Sequence, residues 1–127
     1  MRPFGISTFV TGMDDISGLP KLFLTEPSGA LTEWKAGVIG RSQKSVKEHL
    51  EKSYPEEAKE LDALDEAATI KLTVASLMEC VESAKNMELA VMNSDSKVRF
   101  VETETLEALI EQINKEKEEA EEAAKNK

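Results

Sequence analysis

The sequence predicts an α+β fold in which antiparallel sheet and helices form separate layers. Predicted strands come in runs, three near the start and two after residue 86, whereas predicted helices come as an adjacent pair and one closing helix. The resulting order is β-β-β-α-α-β-β-α, while a doubly wound fold would alternate strands with helices. At 127 residues the chain fits a single domain.

The first strand is predicted over residues 4–11. Positions 6–11 alternate between two sets with the period of two that is typical of strands. Each set contains a large apolar side chain, Val10 in one and Phe9 in the other. Both faces of this strand are therefore expected to be covered, which indicates sheet sandwiched between other layers.

A hairpin follows the first strand. The second strand is predicted at 21–25 and the third from 30 to about 38, joined by the turn sequence of residues 26–29. Pro27 suits the second position of a type I turn and Gly29 suits the fourth. This turn chemistry predicts antiparallel pairing of the two strands.

Two adjacent helices are predicted next. The first covers 42–54, with Ser42 as its N-cap and an apolar stripe that includes Val46. After a polar link at 55–65, the second helix is predicted from about 64 to 84. Its apolar positions recur at intervals of three and four: Ala67, Ile70, Val74, Leu77 and Val81.

A second hairpin and a closing helix complete the predicted elements. Apolar stretches at 87–92 and 97–101 flank a short polar turn. Thr103 can cap the last helix, and its apolar stripe ends at Ile113. Its apolar positions are Leu106, Leu109, Ile110 and Ile113. The acidic helical tail at about 114–127 is expected to be exposed to solvent.

The charge distribution excludes two classes of partner. Net charge is −9, and residues 102–127 hold nine acidic side chains against four lysines. An acidic surface repels phosphate backbones and anionic lipid, so neither nucleic acid nor membrane is an expected partner. No apolar run approaches the ~18 residues of a membrane span, and no secretory leader is expected. The single cysteine, Cys80, suits a reducing compartment, so the cytosol or nucleus is expected.

No residue is predicted to carry chemistry. His49 lies beside the apolar stripe of its helix and is expected at the surface, while Cys80 is expected to be a small core residue. No His/Cys pair has the spacing of metal ligands. Gly29, Gly37 and Gly40 lack the spacing and the Lys-Ser/Thr of a P-loop, so turn glycines are expected. No catalytic, cofactor-binding or metal-binding residue is therefore assigned.

Four stretches in order carry a family resemblance. They are RPFGIS, LFLTEPSGALTEWKAGVIGRSQKSVKEHLEKSY, IKLTVASLMECVESAKNMELAVM and EQINKEKEEAEE. Together they resemble the C-terminal half of α-type subunits of the 20S proteasome, over essentially the whole chain. The turn that the family usually writes Asp-Pro-Ser-Gly begins here with Glu26. Family members are about twice as long, so the chain is expected to lack their first half.

The resemblance implies fold and function together. It implies a partial N-terminal-nucleophile hydrolase (αββα) sandwich in which the first strands and first helices of the family are absent. Residues 1–127 would form one incomplete α-type domain. The implied role is a non-catalytic structural subunit of the outer α ring, with other α-type and β-type subunits as partners. Ubiquitin-dependent protein degradation in the cytoplasm and nucleus is the implied process, and no cofactor is implied.

Two other functions are weighed against this one. A catalytic β-type subunit needs an N-terminal threonine and a lysine partner, which this sequence does not offer. A free-standing interaction module, or a fragment that never enters a ring, would use the acidic C-terminal helix to bind a basic partner. Migration with core-particle subunits on a native gel separates the ring subunit from the module.

Overall fold

The computed structural model describes residues 1–54 and 64–125, so most of the predicted link at 55–65 lies outside the described residues. The chain divides into two compact units. The first unit comprises Met1–Arg41 and Ala90–Phe100, and the second comprises Ser42–Leu89 and Val101–Lys127. The first holds two antiparallel sheets and the second holds three α-helices. The predicted mixture of helix and antiparallel sheet is confirmed.

The larger sheet is antiparallel, with three strands in the order β1-β2-β3. These strands are β1 (Thr8–Met13), β2 (Pro20–Thr25) and β3 (Leu31–Trp34). The predicted turn joins β2 to β3, where the Gly29 N–H donates to the Glu26 carbonyl at 2.9 Å. Gly29 has a φ of +83°, a conformation that glycine adopts without steric cost.

Pairing partners determine where the outer strands end. The sequence predicts β1 from residue 4, but β1 begins at Thr8, which lies opposite Thr25 at the end of β2. The sequence predicts β3 to about residue 38, but β3 ends at Trp34, which lies opposite Leu22. The next bonded pair would require an N–H from Pro20, and proline has none.

The two faces of this sheet differ in how far the chain covers them. On one face Gly37 lies against Phe9, where an added Cβ would fall 2.7 Å from the ring. On the opposite face Val10 is 54% exposed and Leu31 is 63% exposed. The expectation that both faces are covered is therefore not met by the described residues, because they leave the second face open.

The smaller sheet pairs β4 (Ala90–Met92) with β5 (Val98–Phe100). The sequence predicts a strand at 87–92, but only Ala90–Met92 form one, and residues 87–89 belong to the second unit. Met87 is only 6% exposed in the helical core, and the Leu89 carbonyl accepts from the Val101 N–H at 2.8 Å. The apolar run MELAVM is therefore divided: its first three residues belong to the helical unit and its last three form β4. Its composition alone does not show this division.

The second unit contains α1 (Gln43–Ser53), α2 (Glu66–Leu77) and α3 (Thr103–Lys125). Ser42 is the N-cap of α1 as predicted, although its side chain makes no capping hydrogen bond. Asp65 is the N-cap of α2, and its Oδ1 accepts from the Ala68 N–H at 2.7 Å.

Replacing Asp65 with alanine is expected to destabilise the helical unit by about 1 kcal/mol, because an N–H of the first turn loses its acceptor. Urea unfolding followed by the far-ultraviolet helical signal measures this loss. Asp65→Asn is the matched control, since an asparagine oxygen still accepts the bond. Equal loss of stability in both variants would show that the carboxylate charge matters and the cap does not.

Helix α2 ends earlier than its apolar spacing predicts. The prediction runs to about residue 84, but α2 ends at Leu77. Beyond it, the Glu79 and Cys80 N–H groups donate to carbonyls only three residues back, and a 3-10 turn covers Ala84–Asn86. Val81 still packs against the core although the backbone is no longer α-helical. The spacing therefore predicts the inward-facing side chains from Ile70 onwards, whereas Ala67 is exposed and the end of the helix is misplaced.

Every buried residue in ranges 1–54 and 64–125 belongs to the second unit. The core cluster joins α2, the 3-10 turn and α3, and Leu106 is the largest nearly inaccessible side chain at 1% exposure. Its members are Val74, Ala84, Met87, Leu106, Ile110 and Ile113. The predicted apolar stripe of α3 is confirmed. Residues 114–125 are exposed throughout.

Candidate functional site

His49 lies between two side chains of the second unit. Its Nδ1 is 3.2 Å from Ser76 Oγ, and its Nε2 is 3.8 Å from Glu79 Oε1. Only 23% of the His49 side chain is exposed, so the prediction of a surface histidine is wrong. Its helix packs on α2 and brings it to a serine 27 positions away. No local spacing in the sequence could reveal that contact.

Together, Ser76, His49 and Glu79 have the residue types of a hydrolase triad, but the hydrogen bonds among them are arranged differently. Ser76 Oγ donates to the Leu72 carbonyl at 2.8 Å, so its oxygen remains as the acceptor for His49 Nδ1–H. A nucleophilic serine must instead give its proton to the histidine. Ser76 is also only 3% exposed, which keeps a substrate carbonyl away. The cluster links α1 to α2, and its hydrogen bonds are not those of a catalytic triad.

Ion pairs continue this polar contact onto α3. Lys71 Nζ lies 2.5 Å from Glu116 Oε2, and Lys117 Nζ lies 3.3 Å from Glu79 Oε1. Gln112 Nε2 donates to Glu116 Oε1 at 3.1 Å. The hydrogen bond from Lys71, followed by that from Gln112, lowers the pKa of Glu116 below its ordinary value. We call these five residues the polar clasp of α2 and α3.

The polar clasp predicts a pH dependence of stability. A carboxylate whose pKa is lower in the folded chain contributes stability that is fully present above its unfolded pKa of 4.5. That contribution is lost as pH falls through the folded pKa. We therefore expect Glu116→Gln to be less stable than the natural chain near neutral pH, and the two to converge in acid.

Urea titrations at a series of pH values measure this difference. It is expected to be small, because the pair is exposed and solvent screens it. Glu118→Gln, also on the exposed part of α3, is the matched control and should follow the natural chain. A gap that persists unchanged in acid would assign the effect to packing and not to charge.

Cys80 is exposed, so the prediction of a core cysteine is wrong. It follows the end of α2 at Leu77, and its Sγ donates to the Leu77 carbonyl at 3.3 Å. Residue 80 was predicted to lie within α2, so its environment was inferred from a helix that ends three residues earlier.

Neither a metal site nor a phosphate site emerges from the described residues. Within ranges 1–54 and 64–125, no group of three or more His, Cys, Asp and Glu side chains is placed to hold a metal ion. Gly29 forms a turn, Gly37 packs on Phe9, and Gly40 has a φ of +128°. None of the helices described is long and apolar enough to cross a membrane.

The first unit presents the candidate interface. All large apolar side chains that are exposed in the described residues belong to it, and several are more exposed than buried. They are Met1, Phe4, Ile6, Val10, Ile16, Leu19, Leu31, Trp34, Ile39, Val98 and Phe100. Val10 and Leu31 are exposed on the same face of the larger sheet, and an exposed apolar face of this kind marks a surface that other protein covers. Sequence reasoning identified the strands of this unit as apolar on both faces.

Comparison with known proteins identifies the same family over most of the chain. Residues 1–92 match the family model described as "Proteasome subunit". The chain is 42% identical over 127 residues to proteasome subunit alpha type-8 of Mus musculus, covering 99% of this chain and 49% of that protein. It is 46% identical over 132 residues to proteasome subunit alpha type-7 of Caenorhabditis elegans, covering 99% of this chain and 50% of that protein.

A third relative is proteasome subunit alpha type-7-like of Macaca fascicularis, at 46% identity over 120 residues, which is 94% of this chain and 46% of that protein. The chain thus spans about half the length of the curated relatives it matches. The predicted resemblance to α-type subunits is confirmed. Within that family, SAKNMELAVM and the INKEKEE ending resemble alpha type-7, a name that two of these relatives share.

Proposed function

Because this chain belongs to the proteasome subunit family, we propose that it is a non-catalytic structural subunit, or a truncated form of one, of the outer α ring of the 20S proteasome. Its partners are then other α-type and β-type subunits in a hetero-oligomeric ring. Its process is ubiquitin-dependent protein degradation, and its location is the cytoplasm and nucleus. No nucleic acid, membrane or cofactor takes part.

The open sheet of the first unit is the observation that carries this proposal. Val10 and Leu31 are more than half exposed on one face of β1-β2-β3, and none of the described residues of this unit is buried. A sheet gains stability when an apolar face packs against another layer. The proposed fold is part of an αββα sandwich, in which the remaining half of an α-type subunit supplies the covering strands and helices.

The relatives' names and the histidine geometry support a non-catalytic role. The relatives carry the alpha designation, and the resemblance to α-type subunits implies a non-catalytic role. The His49–Ser76 contact uses the serine proton for a helix carbonyl at 2.8 Å, so it does not create a nucleophile. The chain therefore acts by occupying a position in the ring.

Native-gel analysis of cells that express the tagged chain tests the proposal. We expect the tag to migrate with the core particle, and Val10→Asp to prevent this, because a charge on the open face opposes burial. Thr73→Asp, at an exposed position of α2, is the matched control and should still be incorporated. A lone species of about 14.0 kDa would contradict the proposal, and a folded lone species that binds a basic partner would favour the interaction module.

A further inference from the structure

Among the described residues, no strand pairs with the outer side of β1, and the backbone groups on this sheet edge can be identified. The Asp14 N–H donates to the Leu19 carbonyl at 2.9 Å, which makes this pair a hydrogen-bonded one at the end of the β1–β2 ladder. Bonded and non-bonded pairs alternate along an antiparallel ladder. Counting back from Asp14, the backbone groups of Phe9, Thr11 and Met13 point away from β2.

The other hairpin gives an independent check of this assignment. The Glu26 N–H donates to the Ala30 carbonyl at 3.1 Å, so even-numbered residues of β2 face β3. Odd-numbered residues of β2 must then face β1. Lys21 is one of them and lies opposite Gly12, an inward-facing residue of β1. Both hairpins therefore place the odd-numbered residues of β1 on the open edge.

The open edge of β1 lacks the features that protect sheet edges. Proteins block such edges with charged side chains, proline or bulges. The six residues of β1, TFVTGM, contain neither a charge nor a proline. At the opposite edge, the shorter β3 carries Glu33, which pairs with Lys21 at 2.6 Å. Of the two edges, β1 is the one that can accept another strand.

We propose that the open edge of β1 docks against β1 of a second copy of this chain. In an antiparallel arrangement with a two-fold axis at Thr11, the outward backbone N–H and C=O groups of all three odd-numbered residues of β1 face those of the second copy. This arrangement pairs Thr11 with its own copy and Phe9 with Met13 on both sides, and each of these pairs exchanges two N–H···O bonds. The result is one continuous six-stranded sheet with the order β3-β2-β1-β1-β2-β3.

The strand is self-complementary in this register. Phe9 lies opposite Met13, a pairing in which the thioether contacts the ring favourably. Val10 lies opposite Gly12, so a branched side chain meets an open position. No charge faces another charge. A two-fold pairing of β3 that lines up its two outward residues would instead place each Glu33 opposite Leu31 of the other copy, so a charged side chain would lie in the new strand pair.

Self-pairing goes beyond the proposed ring function and competes with it. The edge is open to a second copy only while no other strand covers it. Chain that migrates with the core particle and self-paired chain are therefore different species, and each is measured separately. The dimer can fail while incorporation succeeds, and incorporation can fail while the dimer persists.

Sedimentation equilibrium of the full chain tests the proposal. We expect a concentration-dependent monomer–dimer equilibrium, whose Kd rises about tenfold or more in Thr11→Pro because both central hydrogen bonds are lost. Proline at an outward edge position leaves the β1–β2 ladder intact. Glu33→Pro, at an outward position of β3, is the matched control and should keep the natural Kd. A monomer at all concentrations, or equal weakening by both variants, would overturn the proposal.

If Thr11→Pro disturbs the β1–β2 hairpin, disulfide cross-linking tests separately whether β1 is the docking edge. In the bonded pair at the two-fold axis the Cα atoms lie about 5.5 Å apart, within reach of a disulfide. In a Cys80→Ala background, Thr11→Cys should therefore form a disulfide-linked dimer on mild oxidation, whereas Glu33→Cys should stay largely monomeric. Equal cross-linking at the two edges, or none at Thr11→Cys, would show that β1 is not the docking edge.

Discussion

Replacing Leu106 with alanine is expected to destabilise the helical unit by about 2–5 kcal/mol. Leu106 is 1% exposed and packs in the core cluster with Val74 and Ile110. The substitution removes apolar contacts and leaves a cavity that three elements of secondary structure would have to close. Urea unfolding followed by the far-ultraviolet helical signal gives the change in the free energy of unfolding.

Leu31→Ala is the matched control, because it deletes the same atoms from a side chain that is 63% exposed. A change at an exposed site is usually within about 0.5 kcal/mol. Equal losses in the two variants would mean that the core of the second unit does not stabilise the helices. A large loss at Leu31 alone would instead place the main core around the sheet.

Replacing Val74 with aspartate is expected to cost about 3–5 kcal/mol or to abolish cooperative unfolding, because it leaves an unpaired charge in the core. Val74 is 2% exposed. Lys71, one turn away on the same helix, already pairs with Glu116 at 2.5 Å and belongs to the polar clasp. The buried carboxylate would therefore be without a counter-charge unless the clasp broke.

Thr73→Asp provides the control at the adjacent position of the same helix, where the side chain is exposed. It adds the same charge and nearly the same helix propensity, so the difference between the two variants isolates burial. Circular dichroism spectra and thermal scans of both chains suffice for the comparison. Comparable stability of the two variants would show that α2 does not pack through Val74.

Side-chain spacing predicted the faces of the helices well, because a helix repeats its environment every 3.6 residues. The α3 stripe of Leu106, Ile110 and Ile113 is buried as predicted. The same reasoning failed at the end of α2, since Val81 keeps facing the core although the helix ends at Leu77. The Val81 N–H still donates to the Leu77 carbonyl at 3.1 Å, so the turn that follows α2 preserves the environment that the periodicity predicts.

Strand limits and the histidine cluster depended on partners far along the chain. The start of β1 at Thr8 depends on the end of β2 at Thr25, and the end of β3 depends on a missing N–H at Pro20. Likewise, His49 gained its serine neighbour only through the packing of α1 on α2. Such contacts between distant residues leave no pattern in the local sequence. The resemblance to α-type subunits could be recognised because it depends on four short stretches of sequence in a fixed order.

All buried residues among those described belong to the second unit, and this affects how long a copy survives when no other subunit covers its sheets. Opening free energies vary across a protein, and segments with few buried apolar contacts open first. Backbone amides of β1 to β5 should therefore exchange with solvent deuterium well before those around Leu106. A protease would cleave the strands while the helices are still folded, so degradation of an unassembled copy would begin in its sheets.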